Sequence, residues 1–356
     1  MNIKHFVIYK SAPTRYTVKK HISTKGLISL KLIKRIFQFL LILLLLCGTA
    51  GFYAIKIEPY RLVVKTYPIG DTGTTNNTSK EKAADEITIV QVSDIQISPT
   101  YDEKQLKLLV EKINAQKPDI FLFTGDLYDN YGQYGPEEGV ISALSSINAP
   151  LGKYAIYGNR DCGGGSIRRY SSILEESGIQ LLTNEAAIIT LGGAEEASFD
   201  TGADTGTQAG ADTSTEAHTT STINTNTSTT TSTLLIGGVD DYLLGTPDIS
   251  SVLEAMNDND SFRILMTHEP DTADDYANDG FDLILAGHSH GGQVWLPFIG
   301  SPSTSMARKY RQGFYHLDSS CGTELYVNSG IGTSHYPARF LVPPEITVFR
   351  LTIEQN

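Results

Sequence analysis

The chain has 356 residues, of which 40% are hydrophobic, so it is long enough to bury one large core or two average ones. Its three cysteines exclude a disulfide-stapled scaffold, and its net charge of −12 excludes nucleic-acid binding through a broadly basic surface. The charge is uneven, because residues 1–35 hold nine Lys and Arg side chains and no Asp or Glu. Residues 36–356 therefore carry a net charge of −21.

A charge-free apolar segment separates the basic tail from the acidic body. Residues 36–55 contain one polar amide, Gln38, and as a helix they would span about 30 Å, the thickness of the hydrocarbon core of a bilayer. Lys and Arg side chains precede the segment, so the positive-inside rule predicts a single-pass cell-membrane anchor over residues 36–57. The tail at 1–35 would be cytoplasmic and residues 58–356 extracytoplasmic. A cleaved signal peptide is the alternative interpretation.

Strand and helix patterns alternate after the apolar segment. Alternating residues over 61–67 predict one strand, and the apolar run at 87–92 predicts another. The spacing of apolar residues over 104–116 predicts a helix that ends before Pro118, and residues 120–124 predict the next strand. This order predicts a parallel pair of strands in an α/β sheet.

Further short strands are predicted later in the chain, at residues 154–157, 234–236, 263–266 and 283–285. Residues 194–233 differ, because they contain 14 threonines, no Lys or Arg and few apolar side chains. Such a segment cannot bury enough surface to offset the entropy of ordering, so we predict a disordered insertion in a surface loop. The remaining residues of 58–356 fit one large domain.

Polar side chains follow several of the predicted strands. They are Asp94, Gln96, Asp126, Asp129, Asn159, Arg160, His268, His288 and His290. Open α/β sheets bind ligands at the carboxyl ends of their strands, so these side chains are expected to converge. A lone Asp or His at such a position is usually a turn or capping residue. The ordered combination, with two imidazoles in the loop sequence G-H-S-H-G-G, instead favours a site for two divalent ions such as Mn, Fe, Zn or Mg.

This ordered set resembles the calcineurin-like metallophosphoesterases, whose motifs are D-x-H, G-D-x-x-D, G-N-H-D/E, H and G-H-x-H. The resemblance covers about residues 87–350 and implies an α/β fold, a four-layer α-β-β-α sandwich of two mixed sheets, here preceded by a transmembrane helix. It also implies the ligands of two metal ions. The first ion would be held by Asp94, Gln96, Asp126 and His290, and the second by Asp126 as the bridging ligand with Asn159, His268 and His288.

Two further segments resemble the bacterial membrane-tethered branch of this family, related to UDP-2,3-diacylglucosamine hydrolases. They are I-E-P-Y-R-L at 57–62 and G-I-G-T-S at 330–334. The resemblance implies hydrolysis of a phosphoester or pyrophosphate bond by a hydroxide shared between two metal ions. The expected partners are the membrane and a phosphorylated envelope or lipid-linked substrate, with no nucleic acid. The sequence leaves the oligomeric state open.

Two positions depart from the family motifs. Gln96 stands where the family usually has His, and an amide oxygen is a poorer ligand for a transition metal than imidazole. Arg160 stands where the family usually has His, a residue that the resemblance implies would protonate the leaving oxygen or stabilise the transition state. An arginine cannot be a general acid near neutral pH, but it can clamp a phosphoryl oxygen, with Asp129 as its expected ion-pair partner. Both departures keep a second hypothesis open, a catalytically weak metal-binding or scaffold protein with the same fold.

Overall fold

The computed structural model describes residues 24–70, 85–163, 166–191, 232–257 and 260–353. The chain divides into two compact units, residues 1–52 and 53–356. Most of the predicted Thr-rich insertion, residues 194–231, lies outside the described residues, so its predicted disorder stays a prediction.

Helix α1 (Thr24–Lys56) contains the apolar segment. By length and composition, Ser29–Tyr60 can cross a membrane, with a mean hydropathy of 2.1. Its large apolar side chains between Leu30 and Phe52 are exposed, which is unlike the core helix of a water-soluble protein. A signal sequence has the same properties, so the predicted anchor at 36–57 stays a prediction.

The first sheet has six strands in the order β1-β12-β2-β3-β4-β5. They are β1 (Val63–Gly70), β2 (Asp85–Val92), β3 (Ile120–Phe123), β4 (Gly152–Ala155), β5 (Gln180–Leu181) and β12 (Glu345–Ile353). Strands β2 to β5 are parallel, whereas β12 is antiparallel to β2 and parallel to β1. The predicted parallel pairing of β2 with β3 is therefore confirmed.

The second sheet also has six strands, in the order β10-β11-β9-β8-β7-β6. They are β6 (Glu185–Leu191), β7 (Ser232–Gly238), β8 (Asp260–Met266), β9 (Leu283–Ala286), β10 (Gly313–His316) and β11 (Glu324–Val327). Only β6 and β10, at the two edges, pair in antiparallel fashion. Ser232 and Thr233, which we predicted as the end of the insertion, belong to β7 because they pair with Leu191 and Thr190.

The two sheets pack face to face and helices cover their outer faces. On the first sheet these are α2 (Glu103–Asn114), α3 (Glu138–Ser145) and α5 (Ile167–Glu176), and on the second α6 (Ser250–Ala255) and α7 (Ala273–Tyr276). Successive strand residues point to opposite faces, so Ile89 packs between the sheets and Val90 packs under the helices. In β9, Leu285 likewise packs between the sheets, and Ile284 packs under the helices. The predicted α-β-β-α sandwich is confirmed.

Candidate metal centre

All nine predicted site residues lie after parallel strands, at one edge of the sandwich. Asp94 and Gln96 follow β2, the segment with Asp126 and Asp129 follows β3, and Asn159 and Arg160 begin the short helix α4 (Asn159–Cys162) after β4. His268 follows β8, and His288 and His290 follow β9. The two sheets are packed together, so the carboxyl ends of their strands bring these loops into contact.

The centre of the site is a buried group of two carboxylates and one imidazole. Ligand atoms of Asp94, Asp126 and His268 lie within 4.8 Å of one another. The Asp126 carboxylate accepts a hydrogen bond from Gln96 Nε2 at 2.7 Å, and its Oδ1 lies 3.5 Å from His268 Nε2. Burial disfavours the charge on Asp126, but the His268 ring and hydrogen bonds to the carboxylate lower its pKa below the usual value.

The Asp94 carboxylate has one satisfied oxygen and one unpaired oxygen. Its Oδ2 accepts hydrogen bonds from the Ser93 hydroxyl at 2.6 Å and from the His288 backbone N–H at 2.9 Å. Its Oδ1 is buried without a hydrogen-bond donor among the described residues, and lies 3.3 Å from His290 Nε2. An unsatisfied buried acceptor costs about 1–3 kcal/mol, so binding of a cation at this oxygen would be favourable.

The His268 ring is oriented so that one nitrogen faces the carboxylates. Its Nδ1 donates a hydrogen bond to the Thr124 carbonyl at 2.7 Å, which leaves Nε2 without a hydrogen-bond partner among the described groups. This is how the other ring nitrogen is usually held in a metal-ligating histidine. Burial opposes a charge on this ring, but the Asp126 carboxylate raises its pKa well above the usual value. A proton at Nε2 occupies the position that a metal ion would take.

His288 and Asn159 turn two lone pairs toward each other. The His288 Nε2 donates to the Ser305 carbonyl at 2.8 Å, and burial followed by the His268 charge lowers the ring pKa to about 4. The ring is therefore neutral near pH 7, and its Nδ1 is an acceptor that lies 3.0 Å from the Asn159 amide oxygen. Two acceptors that face each other repel, and a cation bound between them would remove this repulsion.

The backbone of the ligand loops adopts a conformation that most residues avoid. Five of the seven predicted metal ligands have positive φ, namely Asp94 (49°), Gln96 (52°), Asp126 (63°), His288 (62°) and His290 (49°). Each non-glycine residue in the left-handed region costs on the order of 1 kcal/mol, and such strain concentrates at functional sites. The surrounding structure therefore holds these side chains against their local preference.

Two glycines let the backbone approach the carboxylates closely. A Cβ on Gly158 would lie 2.3 Å from Asp126 Oδ1 and 2.8 Å from a carbon of the His268 ring. A Cβ on Gly287 would lie 2.6 Å from Asp94 Oδ2. The glycines of the G-N and G-H dipeptides are thus required by close approach to the ligands, rather than by a flexible turn.

Arg160 is held by groups on two sides of the site. Its backbone N–H donates to Asp126 Oδ1 at 2.8 Å, which places the residue directly beside the carboxylates. Its guanidinium donates to the Asp129 backbone carbonyl at 3.1 Å, and Nη1 lies 3.3 Å from an Asp129 carboxylate oxygen. Its Nη2 donates to the Ser334 hydroxyl at 2.6 Å. The expected Arg160–Asp129 ion pair is present in the structure.

The site opens into a cleft of about 490 Å³. Its floor includes Asp126, Asn159, His288 and His290, and Arg160 forms part of its wall. Residues 302–305 and 334–336 also line the cleft. Arg160 and part of the metal-ligand group therefore line the same cleft.

Several residues that support the site were not assigned a role from the sequence. Asp161 accepts hydrogen bonds from the backbone N–H groups of Asp126, Leu127 and Gly158, so it joins the loops after β3 and β4. Its position in the segment G-N-R-D, directly after two predicted site residues, was a sequence feature from which its role could have been predicted. Arg339 is fully buried and donates to the carbonyls of residues 329, 332 and 342, a structural role that its place in the family-like C-terminal segment did not indicate.

Glu269 is a further buried carboxyl beside the centre. Its ligand atom lies within 4.8 Å of those of His268 and His288, and its Oε1 has no hydrogen-bond partner among the described residues. Burial raises its pKa to about 8, so the carboxyl is largely protonated at neutral pH. It lies next to His268 in the chain, but a single Glu after a His gives no sequence signal of its own.

The residues of the centre fit divalent cations. Asp94 Oδ1, Gln96 Oε1 and His268 Nε2 are buried and unpaired among the described residues, and the His288 and Asn159 acceptors face each other. Gln96 donates its amide N–H to Asp126, which turns its carbonyl oxygen away from that bond. This set of carboxylate, amide and imidazole donors is the mixture that Mn, Fe, Zn or Mg accepts, without the thiolates that soft ions prefer.

Known proteins with similar sequences are named as phosphoesterases or pyrophosphatases. The chain matches the family of calcineurin-like phosphoesterases over residues 87–292. It is 35% identical over 268 residues to the metallophosphoesterase YkuE of Bacillus subtilis, covering 75% of this chain and 79% of that protein. It is 26% identical to the UDP-2,3-diacylglucosamine pyrophosphatase LpxG of Chlamydia trachomatis, covering 75% of this chain and 84% of LpxG.

A more distant relative is named as a transmembrane protein that contains a metallophosphoesterase domain. The chain is 24% identical to a bovine transmembrane protein with a metallophosphoesterase domain, and the match covers 73% of this chain and 51% of that protein. The family match extends over more than half of the chain and agrees with the two mixed sheets of the sandwich. The chain therefore belongs to the calcineurin-like phosphoesterase family and is a metal-dependent phosphoester hydrolase.

Proposed function

We propose that this protein is a membrane-anchored phosphoesterase that hydrolyses a phosphoester or pyrophosphate bond in an envelope or lipid-linked substrate. The observation that carries the proposal is the buried group around Asp126, in which carboxylate, amide and imidazole atoms converge with unpaired ligand atoms beside an arginine. Such a group has little value for stability alone, because buried charges that lack partners are costly.

Two divalent ions would be held by seven side chains. The first set is Asp94, Gln96, Asp126 and His290, and the second is Asp126, Asn159, His268 and His288. When bound, such ions supply a Lewis acid for the phosphoryl oxygens and lower the pKa of water. The chain orients the two histidine rings for metal binding. The His268 ring is hydrogen-bonded to the Thr124 carbonyl and the His288 ring to the Ser305 carbonyl.

Arg160 would bind the phosphoryl group of the substrate. Its planar guanidinium can donate two parallel hydrogen bonds to phosphoryl oxygens and stays charged throughout the working pH range. Asp129 and Ser334 hold the guanidinium at the cleft wall, so less of its side-chain freedom is lost when substrate binds. Asp129 is thus proposed as a positioning residue, and Arg160 as the residue that contacts substrate.

The apolar helix and the relatives support the substrate class and the location. LpxG is named for a pyrophosphatase activity on a diacylated sugar nucleotide, which favours a lipid-linked phosphate or pyrophosphate here. The proposed anchor at 36–57 would keep the cleft close to such lipids. The basic residues before the helix favour a cytoplasmic tail at 1–35 and an extracytoplasmic domain at 58–356.

A catalytically weak metal-binding protein is the second candidate. It is favoured by Gln96 and Arg160, since both positions depart from the family motifs and one of them lacks the usual proton donor. The two candidates differ in metal content and turnover of the purified full chain. Two bound ions with hydrolysis of an aryl phosphate or diester support the enzyme, whereas one ion or none without turnover supports the second candidate.

Asp126→Asn tests the proposed bridging ligand. The neutral amide cannot attract two cations as a carboxylate does, so we expect loss of bound metal and at least a thousandfold lower turnover, about 4 kcal/mol of transition-state stabilisation. Bound metal is measured by elemental analysis, and turnover with an aryl phosphate and Mn. Asp318→Asn, at an exposed position, is the matched control and should keep both properties. Full turnover in the Asp126 variant would contradict the proposed centre.

Gln96→His tests the first ion's ligand set. An imidazole binds transition metals better than an amide oxygen, and His tolerates positive φ comparatively well, so we expect roughly tenfold tighter Mn or Zn binding, about 1.4 kcal/mol. Titration calorimetry measures the affinity, with exposed Gln133→His as the control. Unchanged affinity in the Gln96 variant would place this residue outside the first ion's ligands.

Arg160→Ala tests the phosphoryl clamp. We expect kcat/KM to fall by about a hundredfold or more, because one charged donor to the transition state is removed. An arginine does not titrate near neutral pH, so the shape of the pH–rate profile should not change. Exposed Arg168→Ala is the control and should keep wild-type kcat/KM. A lost limb of the pH profile, or unchanged kcat/KM in the Arg160 variant, would rule out the clamp.

A further inference from the structure

A short apolar hairpin rises from the edge of the cleft. Its residues are 294–300, V-W-L-P-F-I-G, and no charged side chain is among them. Leu296 and Gly300 pair in both directions, with N–H to carbonyl distances of 3.1 and 2.8 Å, and residues 297–299 form the turn. Gln293 and Val294 at its start, and Pro302 beyond its end, line the cleft.

The tip of this hairpin is among the most exposed apolar parts of the described chain. Phe298 is fully exposed and Ile299 is 80% exposed, while Trp295 and Leu296 are each about 40% exposed. Water-soluble surfaces rarely place several large apolar side chains side by side, and such a patch marks a surface that binds a partner or a membrane. Phe298 also has a positive φ of 70°, so the turn holds its ring outward at a local cost.

The base of the hairpin is connected to residues 53–58, at the end of the apolar helix, through residues 339–341. The Trp295 N–H donates to the Phe340 carbonyl at 2.8 Å, and the Phe340 ring packs edge-on against Tyr53. The adjacent Arg339 N–H donates to the Ala54 carbonyl at 2.9 Å, and the Leu341 N–H donates to the Glu58 carboxylate at 2.7 Å. Only one strand-like segment, residues 339–341, therefore separates the hairpin from residues 53–58.

Residues 53–58 are where the chain would leave a membrane. Lys56 and Glu58 are the first charged residues after the charge-free segment at 36–55. If that segment spans a bilayer, the interface with water must lie close to Ala54 and Lys56. Residues 339–341 connect the base of the hairpin to those residues, so the hairpin base would lie close to that interface.

We propose that this hairpin inserts its tip into the interfacial layer of the anchoring membrane and holds the mouth of the cleft against the lipid surface. The proposal rests on the anchor of the proposed function and adds the means by which the site reaches an amphiphilic phosphate. A Trp beside apolar residues without charge is the composition that enters the headgroup boundary, to a depth of about 5–10 Å. An amphiphile could place its phosphate in the cleft while its apolar part follows the hairpin to the bilayer.

The base of the hairpin also suits a lipid surface. The Arg311 guanidinium donates to the Ser301 carbonyl at 3.1 Å, one residue beyond the hairpin. A cation beside an apolar tip complements anionic headgroups, whereas the acidic net charge of the domain would otherwise repel them. A second copy of the chain could cover the same tip, and the experiment below distinguishes that arrangement.

The chain has a single tryptophan, Trp295, which lies in the hairpin and reports on its surroundings directly. The full chain would be reconstituted into vesicles of phosphatidylcholine and phosphatidylglycerol, with and without brominated phosphatidylcholine. We expect brominated lipid to remove most of the Trp295 emission and aqueous iodide to remove little. Vesicle flotation checks that the protein is inserted, and no turnover is needed.

Variants at the tip separate insertion from simple proximity. Phe298→Asp with Ile299→Asp should lose the quenching by brominated lipid and gain quenching by iodide, while Phe298→Leu should keep the wild-type pattern. Ile188→Asp, at an exposed position of the edge strand β6, is the matched control and should not change it. Thermal melting checks that each variant is folded.

Three outcomes would overturn the proposal, and each has a different meaning. Floating protein whose Trp295 is quenched by iodide but not by brominated lipid would show a hairpin in water. Protection from both quenchers would show a tip covered by protein, such as a second copy. Protein that does not float would remove the anchor itself. Metal binding and aryl phosphate hydrolysis are measured separately, so failure of the hairpin leaves the proposed chemistry intact.

Discussion

The negative charge of two buried carboxylates is the constraint around which the site is built. Asp94 and Asp126 lie in the interior, where an uncompensated charge costs several kcal/mol. The fold partly compensates them with hydrogen bonds from the Ser93 hydroxyl, the Gln96 amide and backbone N–H groups. The raised pKa of His268 shows that the remaining field favours a positive charge at its Nε2. A site that recruits a proton in this way has the electrostatics to recruit metal cations.

Two buried side chains, Asp161 and Arg339, organise the loops that bear the ligands. Asp161 binds backbone N–H groups after β3 and β4, and so joins the loops of Asp126 and Asn159. Arg339 binds the carbonyls of Ser329 and Gly332, and this loop lies close to Asp94 and Gln96. Burial lowers the pKa of Arg339 to about 10, yet it stays charged at neutral pH. Each of these residues satisfies several backbone groups at once, which makes the strained ligand loops a defined structure.

The local order of the sequence predicted an α/β sheet with polar residues converging at its strand ends, whereas the four-layer sandwich and the metal-ligand set were implied by the resemblance to calcineurin-like metallophosphoesterases. Apolar runs mark the buried strands, and the polar residues directly after them must lie at the edge where parallel strands end. The sequence did not predict the roles of Arg339 and Ser334, although both lie in the family-like C-terminal segment, because their partners are carbonyls and a guanidinium brought close by tertiary packing. The composition of Ser232 and Thr233 places them in the insertion, whereas the structure places them in β7. Their strand is defined by pairing with β6, which the local composition does not indicate. The positive φ of Gln96 likewise follows from the assembled site, and glutamine has no preference for it.

An arginine instead of the family's histidine at position 160 requires support from another loop of the cleft, the one that contains Ser334. An arginine side chain is longer than histidine and carries about 2 kcal/mol of rotamer entropy, so an untethered guanidinium would be a poor binder. Ser334 holds one end, and its own backbone is fixed by Gln293, whose amide accepts from the Ser334 N–H and donates to its carbonyl. Gln293 directly precedes the apolar hairpin. The residue that would clamp phosphate and the segment that would contact lipid are therefore connected by one chain of hydrogen bonds, from Arg160 through Ser334 to Gln293.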